Sequence, residues 1–208
     1  MTDKNYLRNL RTPTAKNPLR VLTSACITGI LCGADGSSYG RYPHILQLLQ
    51  HPKLQIIRFC PEDYVFGTPR EIPDIEDGTG IDVLNGKARV ISQSGVDMTK
   101  KMIEASEKML AVAMDAKIEL AIMMDVSAAC GSQVIYKGHR LSGNSTYQIG
   151  MGVCAAQLSR HGFKIIAQRD YASLEILYSK IEEDYTVNPA AKDHDATDWY
   201  VNYFKTNS

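Results

Sequence analysis

Three apolar runs punctuate the chain, and each ends at a cysteine. They are Arg20-Val21-Leu22-Thr23-Ser24-Ala25-Cys26, Leu54-Gln55-Ile56-Ile57-Arg58-Phe59-Cys60, and Leu120-Ala121-Ile122-Met123-Met124-Asp125 continuing through Val126-Ser127-Ala128-Ala129 to Cys130. Their length and β-branched content suit strands buried on both faces, and Gly, Pro or Ser stops each one. Strands of that kind need helices on either side. A helix over 44–50 opens at Pro43 and closes at His51-Pro52. Asp97 or Thr99 caps a longer one to about Ala116, with Met102, Ala105, Met109, Val112 and Ala113 on one face. Gly152 to His161 forms a third, ended by Gly162, and Phe163 to Ala167 reads as a further strand. This alternation predicts an α/β fold: a Rossmann-like, mostly parallel sheet with flanking helices and right-handed crossovers.

The remaining segments fill in around that sheet. Residues 1–19 read as a polar leader, 20–170 as the α/β domain, and 171–208 as a C-terminal helix and tail, the helix spanning about 172–184. The region from Gly67 to Gly80, rich in prolines, glycines and acids, reads as irregular loop. Asn85-Gly86, between Val83-Leu84 and Val90-Ile91, carries the signature of a tight β-hairpin. The tail is polar except for Trp199, Tyr200, Tyr203 and Phe204, which are expected to dock on their own domain; the alternative is a homo-oligomer joined through them.

Bulk properties exclude several function classes. Lys plus Arg, 23, equals Asp plus Glu, 23, so nothing marks a polyanion binder, and nucleic acid is not an expected partner, a modified nucleoside of transfer RNA being the one case held open. The leader lacks an apolar signal core, and no stretch approaches the roughly 18 apolar residues of a membrane span; a cytoplasmic protein is expected. Five cysteines, widely spaced, fit no disulfide scaffold and are expected to be reduced thiols.

Open parallel sheets bind ligands beyond the carboxyl ends of their strands, so Cys26, Cys60 and Cys130 could meet at one rim. Their separations match no C-x-x-C zinc knuckle, and a fourth zinc ligand is hard to name. Iron–sulfur clusters are held by thiolates, and three thiolates on a four-iron cube leave one iron open as a Lewis acid. Cys154 reads as a small buried hydrophobe. Cys32, six residues after Cys26, is a persulfide relay, a fourth ligand or a bystander. Gly150-Met151-Gly152-Val153-Cys154-Ala155 formally fits a dinucleotide fingerprint, with Asp170 further on, but the polar segment Leu141–Ile149 does not read as the strand that motif needs.

These motifs resemble one family in order and content. Ser24-Ala25-Cys26 with Gly29, Cys32 and Asp35-Gly36, then Cys60-Pro61-Glu62, then Asn85-Gly86-Lys87-Ala88-Arg89-Val90, then Ser127-Ala128-Ala129-Cys130-Gly131-Ser132, and finally Gly152-Val153 with Ala155-Ala156 and Leu158, are similar to the thiouracil desulfurase family over about residues 20 to 167. The resemblance implies a [4Fe-4S] cluster on Cys26, Cys60 and Cys130, whose open iron takes sulfur from a thiolated pyrimidine to release uracil. The family usually has proline at position 128 and an Arg-Tyr pair where this chain has Gly33-Ala34.

Hydrolytic removal of sulfur also requires a water-activating group and an acceptor for sulfide. Glu62, two residues past Cys60 and braced by Pro61, is the candidate general base and then acid; the alternative is a solvated loop carboxylate. Ser127 is a candidate to hydrogen-bond substrate, or else to close its own turn. Candidate substrate contacts are Ser24, Asp35 and Tyr39, with Lys87 and Arg89 on the expected hairpin reaching an anionic group. A competing class is a non-enzymatic metal-binding or redox-sensing module built on the same three cysteines.

Overall fold

A computed structural model describes residues 5–39, 42–141, 143 and 146–206, so the end of the loop running to Arg41 lies outside the described residues. β1 (Leu19–Ser24) pairs in parallel with β2 (Leu54–Phe59), in register from Leu19 opposite Leu54 to Ser24 opposite Phe59. α1 (Pro43–Leu48), opened by its proline, makes the crossover. The chain then runs through α2 (Pro61–Phe66), β3 (Pro73–Glu76), α3 (Gly80–Leu84), β4 (Arg89–Ser92) and α4 (Thr99–Asp115). It returns to the other side of β1 as β5 (Leu120–Met123), also parallel. β6 (Val134–Lys137) and β7 (Thr146–Ile149) form an outlying antiparallel hairpin, and α5 (Val153–Arg160) leads to β8 (Ile165–Ala167), parallel to β5. α6 (Tyr171–Ile181) and α7 (Asp198–Thr206) complete the chain.

The main sheet has the order β2-β1-β5-β8. Side chains alternate across it, so each strand sends apolar residues to both faces. Val21, Leu120, Ile122 and Ile166 pack with Ile45, Leu48, Leu174 and Leu177 of α1 and α6 on one face. Leu22, Ala121, Met123 and Ile165 pack with Met102, Met109, Val153 and Leu158 of α4 and α5 on the other. The connections diverge on either side of β1, so the topological switch point lies between β1 and β5, where an open sheet leaves a crevice.

Two expectations need correction. The 67–80 region holds β3, an edge strand paired with β4 from Pro73 opposite Ser92 to Glu76 opposite Arg89. Asn85-Gly86 does not turn a hairpin: Thr79 and Asp82 form a capping box that starts α3, and Asn85 ends that helix, with Gly86 at φ +70°. The reading of 141–149 agrees with the structure: β7 in that segment is half of an antiparallel ribbon, not the central parallel strand a dinucleotide site needs. The leader is docked, with Leu7 buried and the Tyr6 hydroxyl donating to the Ile165 carbonyl at 3.3 Å. The tail docks on its own chain, the Tyr147 backbone N–H donating to the Tyr203 hydroxyl at 2.8 Å. No helix among the described residues is long and apolar enough to cross a membrane.

One close approach locks the carboxyl edge. The N–H groups of Gly152, Val153 and Cys154 donate to the carbonyls of Gly131, Ala128 and Ala129, seating the start of α5 against the loop after β5. A Cβ at Gly152 would stand 2.6 Å from the Ala129 and Ser127 carbonyl oxygens. Gly152→Ala therefore lowers unfolding free energy by about 2–3 kcal/mol, seen as a lower denaturant midpoint; an unchanged midpoint would contradict this packing.

Candidate metal centre

The three strand-end cysteines come from adjacent strands, β2, β1 and β5, so their loops lie side by side. Cys26 sits in the single 3-10 turn after β1, ended by Gly29 at φ +91°. Cys60 is the N-cap of α2: Pro61 fixes the first helical residue, and the Cys60 Sγ accepts from the Asp63 N–H at 3.4 Å. That places Glu62 in the first helical turn. Beyond β5, Val126 holds φ +60°, strained for a β-branched residue, with its N–H on the Val134 carbonyl. Ser127 Oγ then accepts from the N–H groups of Ala129 and Cys130 at 3.2 and 3.0 Å, closing the turn that presents Cys130.

Cys26, Cys32, Cys60, Cys130, Glu62 and Ser127 all line one cavity of about 480 Å³. The Cys60 thiol donates to the Cys32 carbonyl at 3.7 Å, and the neighbouring Cys26 side chain is the main cause that pushes the Cys32 thiol up to about 12. The Cys60 thiol is raised by its bond with Cys32 and then by burial. Burial also drives Cys130 well above the usual thiol range, against a hydrogen bond with Ser24 that favours the thiolate. Thiols so held keep their protons until a cation displaces them, so metal uptake here releases protons.

Glu62 is held from two sides. Its Oε2 accepts from Arg70 Nη2 at 2.9 Å and Nε at 3.3 Å, and its Oε1 faces the Ser127 hydroxyl at 3.4 Å. The Arg70 side chain is 5 % exposed and also donates to the carbonyls of Cys32 and Gly67. Glu62 is thus a fixed, charge-paired carboxylate beside the thiols, unlike a solvated loop acid.

Other expected contacts divide. Ser24 is buried in the cavity wall, where its Oγ accepts from the Met124 N–H at 3.0 Å, and Tyr39 lines the same cavity. Asp35 does not line it; exposed, it closes its own loop by accepting from the Ser37 N–H at 2.9 Å. Lys87 and Arg89 are also absent from the lining, because α3 replaces the expected hairpin and β4 lies away from the main sheet; Arg89 pairs with Glu76 at 2.6 Å. Sequence reasoning missed Arg70, Arg140, Arg169, Tyr136, Tyr147 and Trp199, all in the lining. Arg140 pairs with Asp74 at 2.7 Å and lies 4.5 Å over the Tyr136 ring. It also missed Asp125, whose Oδ1 accepts the N–H groups of Ser132, Gln133 and Val134 and so shapes the turn after Cys130. A lone arginine or aspartate outside any motif carries no signal that would mark it.

The donor set discriminates between metals. Among the described residues no three His, Cys, Asp or Glu side chains converge tightly enough to hold a single ion. The lining offers four thiols and no imidazole. Soft thiolates spaced around a roomy hollow fit a polynuclear iron–sulfur group better than tetrahedral zinc.

Fold and site together define an α/β protein of the switch-point type, with strand-end thiols and an ion-paired carboxylate around one cavity. Within that class, the chain belongs to the 2-thiouracil desulfurase family, whose model matches residues 21–170. A relative from Bacillus subtilis (strain 168), the uncharacterized protein YbbK, is 37 % identical over 151 residues, covering 72 % of this chain and 96 % of the relative. A solved structure, that of the [4Fe-4S]-dependent thiouracil desulfidase TudS, is similar at TM-score 0.63 and 29 % identity, covering 77 % of this chain and 98 % of that one.

Proposed function

We propose that this chain removes sulfur from thiolated pyrimidines of the 2-thiouracil type by hydrolysis, using a [4Fe-4S] cluster held by Cys26, Cys60 and Cys130. The observation that carries this reading is the meeting of those thiols with the Arg70-paired Glu62 in one cavity. Membership of the family and the described dependence of TudS on such a cluster support it. When bound, the cluster supplies a thiophilic iron without a protein ligand, suited to accept sulfur.

This chain's residues do the rest. The Glu62 Oε1, facing away from Arg70, takes a proton from a water aimed at the thiocarbonyl carbon. Arg70 keeps the carboxylate oriented for that transfer. The water oxygen bonds to carbon, Glu62 returns that first proton to the sulfur as the carbon–sulfur bond breaks, and the second water proton leaves the oxygen for the departing sulfur as the carbonyl forms, so thiocarbonyl plus water gives carbonyl plus hydrogen sulfide. Ser127 holds the Cys130 turn and bridges to Glu62, while Ser24 and Tyr39 line the ring's side of the cavity. The partner is a small thiolated base or nucleoside. Its setting is the reducing cytoplasm, where five free cysteines persist.

Anaerobically reconstituted protein is expected to release sulfide and uracil in equal amounts from 2-thiouracil, and iron-free protein none. Equal activity without iron would overturn the proposal, and a stable cluster with no turnover on any thiopyrimidine would favour a non-enzymatic module.

A further inference from the structure

Residues 171–208 lie beyond the family match, yet they reach the cavity. Trp199 of α7 lines it together with Cys26, Cys60 and Glu62, and at 42 % exposure it stands at the mouth. Its indole stacks on His194 and on Tyr203, with centroids 5.4 Å away in each case and ring planes 14° and 19° apart. It meets Tyr147 edge-on at 5.4 Å. His194 is anchored in turn: 2 % exposed, it sets Nδ1 at 2.5 Å from Asp125 Oδ2 and its backbone N–H on Asp170 Oδ1 at 3.0 Å. Asp125 is the same carboxylate that shapes the turn after Cys130. Moving the indole aside would break its ring contacts with His194, Tyr203 and Tyr147 at once, so Trp199 is a fixed wall.

We propose that Trp199 is a specificity-determining residue: held at the mouth through His194 and Asp125, it limits the substituent a thiolated pyrimidine can carry and favours the bare base over its ribosyl derivative. A rigid steric wall discriminates by exclusion, which separates two substrates sharing the same reacting atoms more sharply than added attraction does. The activity part of this proposal rests on the desulfurase reading above.

The test compares cluster-loaded wild type and Trp199→Ala on 2-thiouracil and 2-thiouridine, which differ only in the ribose. The ratio of kcat/KM for thiouridine over thiouracil is expected to rise at least about tenfold in Trp199→Ala and to return towards wild type in Trp199→Phe. Equal losses on both substrates would overturn the proposal. Trp199 is the chain's single tryptophan, so cavity occupancy also has a readout that needs no turnover. Uracil should change the emission of the full-length protein saturably, with uridine needing at least about tenfold higher concentration. Emission indifferent to uracil, or equally responsive to both, would overturn the wall. A selective emission response in a loaded enzyme that releases no sulfide would sink the desulfurase reading and leave the wall standing.

Discussion

Glu62→Gln should reduce sulfide release from 2-thiouracil by about a hundredfold to ten-thousandfold, the usual range for removing a positioned acid–base group, with iron and inorganic sulfide content unchanged. The amide oxygen of glutamine can still accept from Arg70, so the shape of the pairing survives while the ability to take and return a proton does not. Loss of the negative charge leaves the buried Arg70 guanidinium less well compensated, and some loss of stability accompanies the change. Glu62→Asp provides the control. It keeps the charge but shortens the reach towards the substrate, so it should fold as wild type and retain activity between wild type and Glu62→Gln. Wild-type rates in a folded Glu62→Gln protein would remove Glu62 from the mechanism.

The second large effect concerns the thiols. Cys26→Ala, Cys60→Ala and Cys130→Ala should each abolish stable cluster incorporation and with it all turnover, because a cube left with two thiolates loses a third of its protein ligation. Cys32→Ala should keep its iron. Cys32 lies in the loop after Cys26, where its backbone carbonyl accepts from the Cys60 thiol at 3.7 Å and from Arg70 Nη2 at 3.0 Å, so it is expected to shape the metal-free site rather than to ligate. Iron and sulfide content after anaerobic reconstitution measures both expectations. A Cys32→Ala protein empty of iron, or a Cys130→Ala protein with a full complement, would require a different ligand set.

The main sheet was legible because strands packed on both faces carry apolar residues at consecutive positions, as β1 does at Val21-Leu22, β2 at Ile56-Ile57 and β5 along its length. The convergence of Cys26, Cys60 and Cys130 was legible for a related reason: a residue just past a parallel strand is placed at the carboxyl edge whatever lies between the strands. The Asn85-Gly86 turn misled because a two-residue signature was weighed without the capping pair Thr79 and Asp82 upstream, which commits the chain to α3 first. β3 was hidden since only one of its four residues, Ile75, is a buried aliphatic side chain, and backbone pairing with β4 supplies the rest. Lys87 and Arg89 followed that error away from the cavity. The Arg70–Glu62 and His194–Asp125 contacts rest on side chains meeting across the finished fold, and no periodicity or spacing encodes such a meeting.

Chemically, the site divides its work between a thiol floor built by the loops after three strands and a carboxylate braced by Arg70. The tail adds a wall that the family match does not include. The strand-end cysteines and Glu62 sit in short, recognisable motifs, while the residues lining the mouth come from the β6–β7 hairpin and α7.

The most direct measurement is iron-edge anomalous scattering from crystals of the anaerobically reconstituted protein. Four iron peaks should fill the cavity, three of them bonded to the sulfurs of Cys26, Cys60 and Cys130 and the fourth, bearing no protein ligand, open towards Glu62. Iron bound elsewhere, or a fourth iron capped by Cys32 in the presence of bound substrate analogue, would contradict the assignment.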